Sequence, residues 1–166
     1  MSAITDINNF NAEEAANFEE IEQQFAVKTV EHLEAYQKLL ENVNPRTLKL
    51  TNMDDEIFED IMTRFPEFKD TEKLRVLDED KMKSPEGKQR WRDFIMPYEK
   101  TLTDYNFGTL IRRDADREYA EDNCILVTRA QFVGLEIARN RLGVNDKFYQ
   151  EHQKKKDDVK PAATRY

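Results

Sequence analysis

Asp104-Tyr-Asn-Phe-Gly-Thr-Leu-Ile-Arg-Arg113 opens the stretch whose reading decides the fold. Asn123-Cys-Ile-Leu-Val-Thr128 and Ala130-Gln-Phe-Val-Gly-Leu-Glu-Ile-Ala-Arg-Asn-Arg-Leu-Gly143 complete it. Phe107 to Arg113 and Asn123 to Thr128 read as two short strands, and Cys-Ile-Leu-Val is the most β-prone run in the chain. The connection Asp114 to Asp122 is too long for a tight hairpin turn. From Ala130 to Leu142 the apolar spacing turns helical, and Gly143 suits the position just past a helix end. The expected fold class is therefore α+β: a helix-rich single domain with a small β-hairpin or short sheet.

Working outward, Phe18, Ile21, Phe25, Thr29, Leu33, Tyr36, Leu40 and Val43 recur at steps of three and four. That spacing puts them on one face of a long amphipathic helix. Asn44-Pro45 ends it, because a residue before proline avoids the helical region. Thr47 to Leu50 reads as a short extended piece. Thr51 or Asn52 is placed to cap a second helix carrying Ile57, Phe58, Ile61, Met62 and Phe65, with Pro66 as its stop. Residues 68–80 are open to a strand or a packed loop. Ser84-Pro85 starts a helix with Trp91, Phe94, Ile95, Tyr98 and Leu102 on its apolar face, and Pro97 should kink or end it. Asn145 is expected to cap a last short helix. The domain reading is an acidic flexible arm over 1–14, one globular domain over 15–151 and a disordered tail over 152–166.

The 166 residues carry a net charge of -8, with six acids between Asp6 and Glu22 and no Lys or Arg before Lys28. A nucleic-acid binder carries a basic footprint, so direct nucleic-acid binding is not expected. No apolar run is long enough for a membrane span, and the first residues lack the basic and apolar parts of a secretory leader. One cysteine, Cys124, fits a reducing compartment, so a cytoplasmic location, with or without the nucleus, is expected. The two histidines, His32 and His152, have no partner at ligand spacing, so no metal is expected. The four glycines lie too far apart for a phosphate-cradling loop, so no nucleotide or S-adenosylmethionine cofactor is expected either. The chain reads as a binding protein, not an enzyme.

What stands out is polarity inside core-like segments. Buried polar groups are costly unless paired. Arg112, Gln131, Glu136 and Arg139 read either as a structural network or as a protein-docking patch. Arg139, one turn from Glu136, is expected to serve the fold, and Arg141, near the helix C-terminus, to face solvent.

Several groups of residues resemble the eukaryotic polysaccharide biosynthesis domain-containing protein 1 family. They are Trp91-Arg92 with Phe94, Asn106-Phe107-Gly108-Thr109-Leu110 with Arg112, Glu121, Asn123, Gln131-Phe132, and Glu136-Ile-Ala-Arg-Asn-Arg141 with Gly143 and Asn145. Glu31-His32 with Tyr36 and Leu48-Lys-Leu-Thr51 extend the resemblance to roughly residues 18–150. Pro97 and the Asp114–Asp122 connection are local departures. The resemblance implies a dedicated chaperone of newly made translation elongation factor 1-alpha, acting on its GTPase domain; the alternatives are a general protein-binding adaptor and, behind it, an enzyme of polysaccharide biosynthesis or methyl transfer. The nascent polypeptide-associated complex or the ribosome would be further partners. The protein-binding candidates it supplies are Trp91, Asn106, Phe107, Gly108, Arg112, Gln131, Glu136, Arg139, Asn140, Arg141 and Asn145.

Overall fold

The computed structural model describes the backbone of residues 12–163 and the side chains of residues 26–158. The acidic arm expected over 1–14 lies outside the described residues up to position 11, and the first helix already includes residues 12–14. The helices are α1 (Ala12–Asn42), α2 (Asp54–Arg64), α3 (Thr71–Arg75), α4 (Glu79–Lys83), α5 (Pro85–Ile95), α6 (Arg129–Arg141) and α7 (Asp146–Ala163). Two strands, β1 (Gly108–Arg112) and β2 (Cys124–Thr128), pair antiparallel. The helix-rich α+β class is the one read from the sequence.

The chain divides into two compact units, Met1–Tyr36 and Gln37–Tyr166. The first consists of most of α1. Thr29 and Tyr36 of the apolar stripe are buried there, and the His32 and Tyr36 rings stack at 6.4 Å. The side chains of Phe18, Ile21 and Phe25 lie outside the described residues.

The second unit is built around α6, buried from Phe132 to Asn140 without a break. A helix buried on every face sits in the middle of a core, not on its rim. Its N-terminus is fully satisfied. Arg129 and Ala130 donate their backbone N–H groups to the carbonyls of Phe107 and Tyr105. Thr128 and Gln131 form a reciprocal capping box. At the other end Gly143 takes φ 79°, a left-handed conformation that costs a glycine nothing. Gly134 lets α5 approach, since a Cβ there would lie 2.9 Å from the Phe94 ring.

Ser84 accepts from the Gly87 N–H and Pro85 takes the first helical position of α5, as expected. Pro97 does end that helix, which tightens into a 3-10 turn over Met96–Tyr98. The register runs from Gly108 opposite Thr128 to Arg112 opposite Cys124. Gly108 is therefore an ordinary ladder position.

Four local expectations are corrected. Thr47 to Leu50 forms no strand; Pro45–Thr47 is a 3-10 turn. Neither Thr51 nor Asn52 is the N-cap of α2. Asp54 instead folds its buried carboxylate back to accept from the N–H groups of Leu50 and Thr51 and from the Thr51 hydroxyl, at 2.7–2.8 Å. Asn145 does not cap α7 with its side chain, which turns inward. Residues 152–163, read as disordered tail, continue α7. Lys and Gln are good helix formers, and Gln153 and Lys156 reach across to the end of α1, donating to the Glu41 carbonyl and the Asn42 side chain.

Candidate protein-docking site and the buried arginine network

The candidate residues separate into an interior group and a surface group. Arg112, Glu136, Arg139, Asn140 and Asn145 are all at most 2% exposed. Arg112 leaves the end of β1 and donates to Glu136 Oε1 at 3.1 Å, Asn145 Oδ1 at 2.7 Å and the Ala115 carbonyl at 2.6 Å. Its guanidinium lies 5.1 Å from the Phe148 ring centre and 5.9 Å from that of Tyr119. Asn145 then donates to Asn140 Oδ1 at 2.7 Å. The network ties β1, the loop after it, α6 and the start of α7 to one another.

Arg139 works in the opposite direction. It donates to the Leu74 carbonyl at 3.0 Å, the Arg75 carbonyl at 3.3 Å and the Arg113 carbonyl at 3.2 Å. Leu74 and Arg75 close α3, so the guanidinium satisfies carbonyls left without helical partners, where the helix dipole is negative. Glu136 Oε2 stands 3.7 Å from Arg139 Nη1. Two cations and one anion thus share the interior, and main-chain carbonyl dipoles solvate the remaining positive charge. Burial beside Glu136 pushes the Tyr119 hydroxyl well above the usual phenol range, so it stays neutral.

Of the network read from the sequence, Arg112, Glu136 and Arg139 come together and Gln131 does not. Its side chain is spent in the capping box, accepting from the Thr128 N–H at 2.8 Å. Trp91 is core as well, stacked on Phe65 at 4.1 Å and edge-on to Phe94 at 5.7 Å. Buried in this way, Trp91 and the five network residues cannot touch a partner while the domain keeps this conformation.

The surface group is Asn106, Phe107, Gly108 at the strand start, and Arg141. Asp104 at φ 56° turns the chain just before them. Phe107 is pinned through its backbone, accepting from Arg129 at 2.7 Å and donating to the Asp104 carbonyl at 2.9 Å, yet it is 48% exposed. With Asn106 it lines a surface cleft of about 490 Å³ that also takes in Glu99, Leu102 and Tyr105. Arg141 is exposed but engaged: it pairs with Asp55 at 2.6 Å and lies 5.3 Å from the Phe58 ring centre.

Sequence reasoning gave Asn123 no role beyond the resemblance, yet it is buried and staples the long connection. Its amide accepts from the Asp114 N–H and donates to the carbonyls of Asp114 and Glu118 at 2.9–3.1 Å. An asparagine standing between an acidic loop and a β-prone run was the available signal. Cys124, beside it, is half-buried, and desolvation pushes its thiol up, away from nucleophilic character.

Comparison with known proteins gives this arrangement a class. The family model described as PBDC1 protein matches residues 21–150. The chain belongs to the PBDC1 family. A Saccharomyces cerevisiae PBDC1 homolog is 51% identical over 140 residues, covering 84% of this chain and 96% of that protein. The human PBDC1 protein is 38% identical over 147 residues, 89% of this chain and 61% of that protein. A solution NMR structure of a Saccharomyces cerevisiae protein matches with a TM-score of 0.74 at 50% identity, over 86% of this chain and 97% of that one.

Proposed function

We propose that this protein is a cytosolic, non-enzymatic chaperone that binds newly synthesised translation elongation factor 1-alpha at its GTPase domain and assists its folding. Support comes from family membership joined to the family resemblance described above. The observation that carries the reading to a surface is the Asn106–Phe107 turn. A phenylalanine 48% exposed on a backbone pinned by hydrogen bonds is a preformed apolar anchor. A rigid aromatic beside a cleft is the kind of group that dominates docking energy. The ribosome or the nascent polypeptide-associated complex would place the chaperone near its client. A general adaptor is the alternative, and it differs in having no preference for new chains.

The test is affinity capture from cells before and after translation is stopped. The chaperone reading expects elongation factor 1-alpha to be recovered during active translation and to fall away within minutes of arrest. Undiminished recovery of the mature factor would favour an adaptor, and no recovery in either condition would sink both readings for this partner.

A further inference from the structure

His152 lies on α7, one turn after Phe148, and its Nδ1 stands 2.7 Å from the Phe148 carbonyl oxygen. A carbonyl only accepts, so Nδ1 carries a hydrogen and donates. Nε2 is thereby turned toward two carboxylates, Glu118 Oε1 at 3.4 Å and Glu41 Oε1 at 3.6 Å. The Phe148 ring, 4.2 Å away centre to centre, backs the imidazole, and Gln37 steadies Glu41 by donating to its Oε1 at 3.1 Å. Three ligand atoms, all within 4.8 Å of one another, thus converge from the end of α1, the loop after β1, and α7. Three acceptor atoms gathered this closely form an arrangement that a shared cation could bind.

We propose that Glu41, Glu118 and His152 form a zinc(II) site. In a tetrahedral site with bonds of about 2.0–2.2 Å, ligand atoms lie about 3.3–3.6 Å apart, which the two distances from Nε2 match. The Nδ1–H donated to a backbone carbonyl is the outer contact that usually fixes a zinc-bound imidazole. Imidazole with two carboxylates selects zinc and its first-row neighbours over calcium or magnesium, which take oxygen alone. Glu118 and His152 also line a surface cleft of about 410 Å³ whose wall includes Tyr119, Glu151 and Lys155. The sequence reading finds no ligand near His152 because both carboxylates come from distant parts of the chain. Filling the site would clamp α7 to the last turn of α1.

Calorimetric titration of zinc chloride into the metal-stripped full chain at neutral pH tests this. One zinc per chain is expected, with magnesium chloride giving no comparable binding. Both His152→Ala and Glu118→Gln should weaken zinc at least about tenfold, and His32→Ala should leave it unchanged. Glu118 is 58% exposed, so its variant probes the ligand without disturbing the fold. The His152 ring protons should shift on zinc addition in NMR spectra while those of His32 stay in place. Absence of zinc binding would overturn the proposal. Zinc affinity unaffected by both ligand variants, or magnesium bound as tightly, would overturn it too.

Discussion

Arg139 and Arg90 do one job in two settings. Each comes from a later helix and donates to the closing carbonyls of an earlier one. Arg139 reaches Leu74 and Arg75 at the end of α3, and Arg90 reaches Arg64 at the end of α2 at 2.9 Å. Each also has a carboxylate, Glu136 at 3.7 Å for Arg139 and Glu67 at 2.6 and 2.9 Å for Arg90. Geometry alone would rank Arg90 higher, since its fork grips Glu67 with two short bonds and its guanidinium lies 4.6 Å from the Phe65 ring centre. Burial reverses the order. The Arg90 and Glu67 side chains are 39% and 34% exposed, while those of Arg139 and Glu136 are not exposed at all. Water replaces a lost bond at the surface and cannot do so in the interior. The depth of an arginine, not the quality of its contacts, therefore decides what its loss costs.

The strongest way to break that comparison is to truncate the interior arginine. Arg139→Ala removes the side-chain donor to the Leu74, Arg75 and Arg113 carbonyls and the buried cation 3.7 Å from Glu136, and should cost about 3–5 kcal/mol of unfolding free energy. Arg112→Ala should behave alike, because Asn145, Ala115 and Glu136 lose a shared partner. Arg90→Ala should cost only about 1 kcal/mol in the same denaturant titration. Equal losses from Arg139→Ala and Arg90→Ala would refute the ranking by burial.

Acid sharpens the same contrast. The Arg90 hydrogen bond holds the Glu67 carboxyl below the ordinary glutamate range. A carboxyl whose folded value is depressed adds stability that is complete above its unfolded value, near pH 4.3, and lost as pH falls through the folded value. Thermal midpoints should therefore drop below about pH 4.3, and Glu67→Gln should flatten part of that slope while leaving the remainder, to which Glu79 beside Lys83 and Arg113 contributes in the same sense. An unchanged acid slope in Glu67→Gln would show that the pair is not held in solution.

These contacts explain why the fold was easier to read than the site. The hairpin and α6 announce themselves through local signals: β-branched runs, a 3.6 period and Gly143. Residues 68–80 carry no clean period, and their two short helices, α3 and α4, depend on Asp70 and Asp78 capping them locally. The dense polar run in α6 did signal that something was unusual. Whether Glu136 and Arg139 faced a partner or the interior depended on groups 24 to 65 residues away, which periodicity does not encode. Asn145 shows the same limit. Its position fits a cap, and only the arrival of Arg112 and Asn140 makes the interior the better place for its amide.

Arg141 is two residues beyond Arg139 and falls on the other side of the divide. Its Asp55 partner is 90% exposed, so the pair sits in water despite its 2.6 Å separation. Arg141→Ala should lower stability by less than about 1 kcal/mol. A larger loss would mean that packing on Phe58 matters more than the charge.

Phe107→Ser should move the unfolding midpoint least of all. The substitution keeps the backbone hydrogen bonds that hold the turn, and the ring it removes is already half in water, so the change should stay within about 0.5 kcal/mol. If the turn docks the nascent elongation factor, recovery of that factor from translating cells should nevertheless fall severalfold, more than for Arg90→Ala, which costs more stability. The two readouts would then run in opposite orders along the series, which a purely structural role for Phe107 cannot produce. Capture that simply tracks stability across Arg90→Ala, Arg141→Ala and Phe107→Ser would move the docking surface away from this end of the hairpin.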